Sequence, residues 1–248
     1  MSELLAAARD ERLLRLTLNR PAKRNALNSE LCHALVHALD RAENDPETGA
    51  ILIDAAGPTF CAGMDLVEAL APDAAEQTAI HERLFTAGAR ARKPIVMAVQ
   101  GAALAGGTGL VANAHIAIAA EDATFGLTEI RIAMWPYVVF RAMKLAIGER
   151  RTLELSLTGR VFGAAEALQH GLVHRVVPST GLAHAALEVA RTLSRASAST
   201  IARGLEYVQR SRELSWDESG ELAHQLRALN FQSADFTSAV RAFRQKRS

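Results

Sequence analysis

Cysteine is nearly absent from this chain, with only Cys32 and Cys61 among 248 residues. Two thiols cannot build a disulfide framework, so a reducing compartment is expected and the protein is read as soluble and cytoplasmic. Aromatic residues make up only 5% and the formal net charge is +1. A nucleic-acid protein would show a basic stripe with interleaved aromatics, so no nucleic-acid partner is expected. No apolar stretch reaches membrane-spanning length, and Met1-Ser-Glu-Leu-Leu-Ala-Ala-Ala lacks a basic region and a long apolar core. Neither a membrane span nor a signal peptide is therefore expected. None of the eight histidines is read as having a partner at metal-ligand spacing, so no metal is expected.

What is present is a chain that is 49% hydrophobic and long enough to bury a large core. Chains of this size bury about three quarters of their unfolded surface. No linker, low-complexity tract or repeat marks a separate second domain, but a mixed region over 1–195 gives way to an all-helical region over 196–248. Leu4 to Ala8 and Leu13 to Leu18 suit a hairpin. Asn28 or Ser29 caps a helix whose apolar residues Leu31, Leu35, Ala38, Leu39 and Ala42 recur at helical spacing. Ala50 to Ala55 and Ile95 to Val99 read as strands, each followed by a glycine-containing turn. Ala123 to Glu129 is a third, polar turn, and glycines at 148, 159 and 171 stop the helices that follow.

Chemistry is expected at Pro94-Ile-Val-Met-Ala-Val-Gln-Gly-Ala-Ala-Leu-Ala-Gly-Gly-Thr-Gly109, a buried strand feeding bare backbone and then a helix start. Backbone N–H groups at such a place make an electropositive pocket. The spacing matches a phosphate-binding loop, but Gly107 stands where the lysine should be. A dinucleotide fingerprint fits loosely, yet seven residues separate Val99 from Gly107, too many for the first turn after a strand. An oxyanion hole is the third reading, with simple packing glycines as its alternative. The turn Thr59-Phe-Cys-Ala-Gly-Met-Asp65 also follows a strand, so it can offer a second N–H to the same point.

Six segments in series carry a resemblance: Asn19-Arg-Pro…Asn25-Ala-Leu-Asn28, Phe60-Cys-Ala-Gly-Met-Asp-Leu66, Lys93 to Gly101, Leu104-Ala-Gly-Gly-Thr-Gly109, Phe125-Gly-Leu-Thr-Glu129 and Leu157-Thr-Gly…Gly171-Leu-Val173. Together they closely resemble the enoyl-CoA hydratase/isomerase (crotonase) family. The resemblance implies an α/β fold of the ClpP/crotonase type, a spiral of ββα units over 1–195. The helical region 196–248 would then pack a homotrimer or a dimer of trimers. It implies an acyl-CoA thioester substrate of the kind met in fatty acid metabolism, with no cofactor beyond the coenzyme A that the substrate carries. By motif position the backbone N–H groups of Met64 and Gly106 correspond to the oxyanion donors, and Glu129 to the catalytic acid/base. Ala22, Lys23, Ala26 and Leu27 match the segment around the adenine, and Asp65 and Leu66 lie near the thioester end. Ala62 and Gly107 complete the implied substrate-binding set.

The resemblance breaks at Gly109, where hydratases of the family carry a second glutamate. Glycine neither orients water nor moves a proton, which leaves a reaction needing one base beside a stabilised enolate, such as moving a double bond. Thioester hydrolysis or decarboxylation on the same scaffold, and acyl-CoA binding without turnover, are the alternatives. Among the other residues, Glu129 has an alternative role as a loop carboxylate paired with Arg131. Cys61 reads as a small buried thiol, Asp65 as a carboxylate at a helix terminus and His115 as structural. Lys23, Arg24, Arg244, Lys246 and Arg247 are solvated charge or phosphate contacts. Trp135 to Phe140 is bulk that either shapes the acyl pocket or simply packs.

Overall fold

The computed structural model describes residues 3–70 and 74–245, with the side chains of 74–77 outside that description; Lys246 and Arg247 therefore lie beyond the described residues. Leu5–Asp10 (β1) and Leu13–Leu18 (β2) form the antiparallel hairpin, in register from Leu5 opposite Leu18 to Asp10 opposite Leu13. Its turn places Glu11 at φ 50°, the left-handed conformation that a two-residue hairpin loop demands. Beyond β2 the sheet grows by parallel addition of Ala50–Ala55 (β3), Ile95–Val99 (β4), Ile116–Ala120 (β6) and Arg175–Val177 (β9), in the order β1-β2-β3-β4-β6-β9. Parallel interior strands are covered on both faces, which is why every residue of β4 is buried.

Alternation along these strands sorts the core into two layers. Leu13, Leu52, Val96, Ala98 and Ile118 point to the side closed by Leu182, Ala185, Ala186 and Ala190 of helix α7 (Leu182–Ser194). Ile51, Ile53, Met97, Val99 and Ala117 point to the other side, against Leu31, Leu35 and Leu39 of α1 (Ser29–Asn44). The side chain of Asn28 caps α1 by accepting the Leu31 amide at 3.2 Å, as its position just before the apolar stripe predicts. A longer helix, α2 (Ala74–Arg90), precedes β4.

A second, smaller sheet departs from the sequence expectation. Ala102–Leu104 (β5), Thr124–Gly126 (β7) and Val161–Gly163 (β8) join in the order β5-β7-β8, where the sequence suggests turns for the first two. Strands of three residues are too short to show a period, and their partners are distant in sequence. This explains the spacing between Val99 and Gly107: a bend and a second strand occupy residues 100–105 before α3 (Gly106–Ala112) begins. Helices α4 (Tyr137–Ile147), α5 (Glu149–Thr158) and α6 (Ala164–His170) follow, ending at Gly148, Gly159 and Gly171. Pro136 holds the entry to α4, so Trp135 stays outside the helix and stacks on Phe140 at 6.0 Å.

The chain divides into two compact units, the first ending at Arg195 and the second beginning at Ala196. The second contains α8 (Ala198–Ser211), α9 (Trp216–Phe231) and α10 (Ala234–Gln245). Ser215 and Glu218 form a reciprocal capping box at the start of α9. Ser197 and Ser199 both donate to Asp235 of α10, at 2.5 and 3.1 Å. No helix among the described residues is long and apolar enough to cross a membrane.

Candidate active site

Four chain segments run side by side in the first unit, and the site lies where they end. Leu27 forms a parallel bridge to Met64, Cys61 one to Ala103, and β5 pairs with β7 in the register Leu104 opposite Gly126. Met64 and Gly106 therefore each follow a bridged residue by three positions, and Glu129 follows Gly126 by three. Parallel neighbours in register release their loops at the same edge.

The bridge between Leu27 and Met64 determines which way the second loop's amides face. The Leu27 amide donates to the Gly63 carbonyl at 2.7 Å and the Asp65 amide donates to the Leu27 carbonyl at 3.0 Å. In a parallel bridge this pattern turns the Met64 N–H away from Leu27. Gly63 makes the approach possible: it sits at φ 96°, and a Cβ there would come within 2.9 Å of both the Ala105 Cβ and the Leu104 carbonyl. That Cβ would also lie 3.4 Å from the Gly106 nitrogen, so the Met64 turn and the α3 N-terminus are in contact. Gly106 is the first residue of α3 and its amide has no intrahelical acceptor. Neither the Met64 nor the Gly106 amide donates to a backbone carbonyl among the described residues.

Ala105, just before Gly106, is held at φ 49° and ψ −118°, a conformation an alanine rarely adopts. Its amide donates to the Gly126 carbonyl at 2.7 Å and its carbonyl accepts the Gly109 amide at 3.1 Å. Thr108, fully buried, donates to the Ala103 carbonyl at 2.6 Å and accepts the Gly126 amide at 3.0 Å. These bonds lock the start of α3 onto the ends of β5 and β7. Sequence reasoning missed both Ala105 and Thr108, since neither residue type signals its conformation or partners.

Glu129 is the second residue of the short helical turn Thr128–Ile132 that leaves β7. It is only 7% exposed, and its Oε2 has no hydrogen-bond partner. Burial pushes its pKa up to about 7, with a backbone hydrogen bond from its own amide offsetting part of the rise. Among the described residues no ion pair joins it to Arg131. A buried carboxyl without a partner costs free energy, and such groups concentrate where proton transfer occurs.

Around Gly109 the walls are apolar. A Cβ at Gly106 would meet Phe85 Cζ at 3.1 Å and Leu27 Cδ1 at 3.2 Å; one at Gly109 would meet Val139 Cγ2 at 2.8 Å, Val139 Cγ1 at 2.9 Å and Phe85 Cε1 at 3.1 Å. Within the Trp135 to Phe140 segment it is Val139, on the buried face of α4, that reaches the site. Gly107 lies against the Cys61 carbonyl, which a Cβ would approach to 2.2 Å.

Ala22 and Lys23 form an exposed turn, Pro21–Lys23, and Ala26 and Leu27 continue it inward. Asn25, a residue whose role the sequence did not reveal, pins this segment: its side-chain amide donates to the Ala56 and Thr59 carbonyls at 2.9 and 2.8 Å, and its Oδ1 accepts the Arg20 amide at 2.8 Å. The Ala62 amide donates to the Arg24 carbonyl at 3.0 Å, so Ala62 is held to the same segment. Asp65 precedes a short helical turn, Glu68–Leu70, and not α2 itself; its Oδ1 accepts the Val67 amide at 3.1 Å and its other oxygen pairs with Arg20. Leu66 is exposed at the rim.

Cys32 and Cys61 are buried free thiols, both pushed up to about 12 by burial. His115 has a structural bond, its Nδ1 accepting the Ile95 amide at 2.9 Å, and His174 does the same for Ala117 at 3.1 Å. One expectation needs correction: His33 and His37 do stand one helical turn apart on α1, with ring centres 6.3 Å apart. Among the described residues no cluster of three or more His, Cys, Asp or Glu side chains forms a site for a metal ion.

Free backbone amides at and beside a helix start suit a developing oxyanion, and a buried, unpartnered carboxyl suits proton transfer. Comparison with known proteins gives the family. The enoyl-CoA hydratase/isomerase family model matches residues 8–248, and the chain belongs to that family. It is 36% identical over 248 residues to the probable enoyl-CoA hydratase echA8 of Mycobacterium bovis, covering 99% of this chain and 96% of that protein. It is 33% identical to the 2,3-dehydroadipyl-CoA hydratase of Escherichia coli, covering 100% of this chain and 98% of that protein. Among solved structures, an enoyl-CoA hydratase from Mycobacterium smegmatis superposes with a TM-score of 0.94 at 30% identity, covering 99% of this chain and 97% of that one. The fold is the crotonase fold, and the chain is an enzyme of the hydratase/isomerase type acting on acyl-CoA.

Proposed function

We propose that this enzyme moves a double bond between the 3- and 2-positions of an enoyl-CoA thioester, with Glu129 as its single acid/base. The thioester carbonyl accepts the Met64 and Gly106 amides. The Glu129 carboxylate removes a proton from C2 of the 3-enoyl ester, and the electron pair left behind spreads over C2, C4 and the thioester oxygen. Glu129, now a carboxylic acid, returns the proton at C4, leaving the double bond between C2 and C3. Nothing is gained or lost, and the only coenzyme involved is the one the substrate carries.

Each oxyanion donor commonly contributes about 3 to 4 kcal/mol to the transition state. A carboxyl whose pKa lies near 7 is a stronger base than an ordinary glutamate, yet about half of it is ionised at neutral pH. Ala22, Lys23, Ala26 and Leu27 border the adenine end of the ligand in this reading, and Ala62, Asp65, Leu66 and Gly107 the thioester end. The observation that carries the proposal is the buried, unpartnered Oε2 of Glu129 in a site where position 109 is glycine.

Offering 2-enoyl- and 3-enoyl-CoA esters and following the absorbance of the conjugated thioester tests it. Isomerisation makes signal appear from the 3-enoyl ester; loss of signal from the 2-enoyl ester as the faster reaction would refute the proposal. That outcome is the competing one, since relatives of this chain are named hydratases. Free thiol released from either ester would point to hydrolysis instead.

We also read the helical unit from Ala196 onward as the packing surface of a homotrimer or a dimer of trimers. Exposed Trp216, Phe231 and Phe243 support that reading, and light scattering that returns a monomer would remove it. A cytoplasmic location agrees with the two free thiols.

A further inference from the structure

We infer that Val139, seated with Phe85 against Gly109, is the residue that sets the reaction of this site, excluding added water so that the substrate's own protons are what Glu129 moves. The inference rests on the proposed function and names what enforces it.

Gly106 and Gly109 are one turn apart on α3, and a Cβ on either would come within 3.1 Å of the same Phe85 ring. They therefore share the face of α3 that carries the candidate oxyanion amide. The two γ-methyls of Val139 occupy the rest of that face, at 2.8 and 2.9 Å from a Cβ at position 109. Val139 is 3% exposed and Phe85 4%, so both are fixed in the packed interior. The Thr128–Ile132 turn that carries Glu129 is joined to α4 by residues 133–136, so one stretch of chain delivers both the carboxyl and the apolar plug.

Adding water across a double bond requires a water molecule held beside the reacting carbon while one group takes its proton. A buried water is typically held by about three hydrogen bonds. Val139, Phe85 and Leu27 offer none, so the wall at position 109 gives a water nothing to bond. Glycine at 109 is thus more than a missing carboxylate: the space a side chain would need is already filled. Restoring glutamate there is not enough; Val139 must be cut back as well.

The test is a cycle of Gly109→Glu, Val139→Ala and the double variant, each assayed with both enoyl-CoA esters. Val139→Ala removes the two methyls that crowd position 109. The double variant is expected to hydrate the 2-enoyl ester at least about tenfold faster than either single variant, a modest share of the ~10² to 10⁴ that one placed acid/base supplies. A folded Gly109→Glu protein that hydrates as fast as the double overturns the inference, as does a folded double variant that binds acyl-CoA without gaining hydration. Should Gly109→Glu fail to fold, Gly109→Ala and Gly109→Ala/Val139→Ala carry the question by thermal melting. The first is expected to melt lower, and the second to lose less than the sum of the two single changes; strictly additive shifts overturn the packing argument. If the unaltered enzyme conjugates the 3-enoyl ester and the double variant gains nothing, this inference alone fails. If the unaltered enzyme hydrates faster than it isomerises, the proposed function fails with it.

Discussion

Arg20 holds Asp65 across the candidate site by an ion pair of 2.9 Å between side chains only 15% and 14% exposed. The same guanidinium donates to the Ala26 carbonyl at 2.7 Å, and the Arg20 amide donates to Asn25 at 2.8 Å. One arginine thus joins the turn at 22–27 to the loop that carries Met64. Burial raises the Asp65 carboxyl, but Arg20 and the Val67 amide outweigh it and hold the pKa below the usual carboxylate value.

Arg20→Met should therefore loosen the acyl-CoA side of the site without touching the proposed base. Charge-assisted bonds of this kind are worth about 1.5 to 3 kcal/mol, tempered here by the partial exposure of both groups. The expected result is a KM for acyl-CoA raised roughly tenfold, with kcat changed far less. Steady-state kinetics that show the loss entirely in kcat would place Arg20 in the chemistry instead.

Glu129→Gln keeps the shape of the side chain and removes the proton carrier. Turnover should fall by about 10² to 10⁴ while acyl-CoA binding, followed by calorimetry, persists. In the unaltered enzyme the carboxylate must be ionised to act. The rate at limiting substrate should therefore rise with pH and level off above about 7, the value to which burial has raised this group. A flat profile between pH 5 and 8 would mean that another group accepts the proton.

The same burial makes a prediction about stability. Glu129 has its pKa raised from 4.5 to about 7 on folding, so the folded state binds the proton more tightly than the unfolded chain. Its contribution is fully present below the unfolded value and is lost as pH rises through about 7. Glu129→Gln escapes that loss, and its advantage over the unaltered protein should grow from pH 5 to pH 8. The limit is on the order of 3 kcal/mol, from a shift of about 2.5 pKa units. Denaturant unfolding at the two pH values measures it; an advantage that shrinks with pH contradicts the assignment of cause.

Much of this arrangement was legible in the sequence, and the parts that were not share a cause. The helix capped by Asn28 and the strands β1 to β4 announce themselves through apolar periodicity, which survives because each element is long enough to show a period. The small sheet β5-β7-β8 does not, because three residues carry no period and its strands pair with partners far along the chain, as Phe125 does with Phe162. Within the site, motif order marked Met64, Gly106 and Glu129 as candidates and Gly109 as the departure. What the motifs could not show was the filling of Gly109 by Val139, since that contact depends on how α4 packs across α3. Asn25 and Arg20 stood in a recognised segment, yet their work as struts appears only once 56–65 is folded beside them.

Ala105 offers the last test, because its backbone is strained where the candidate oxyanion turn meets α3. At φ 49° and ψ −118° it lies in a region that costs a non-glycine residue about 1 to 3 kcal/mol. The surroundings impose the conformation: the Ala105 amide is tied to Gly126 and its carbonyl to Gly109, while the bare backbone of Gly63 leaves room for its Cβ. Glycine at this position escapes the steric cost but loses more chain entropy on folding, by about 0.4 to 1 kcal/mol. The balance favours the variant, and Ala105→Gly should be more stable by about 1 kcal/mol in equilibrium denaturation. A less stable Ala105→Gly would show that the strain at the head of α3 is smaller than its backbone angles imply, and that the turn is held by its hydrogen bonds alone.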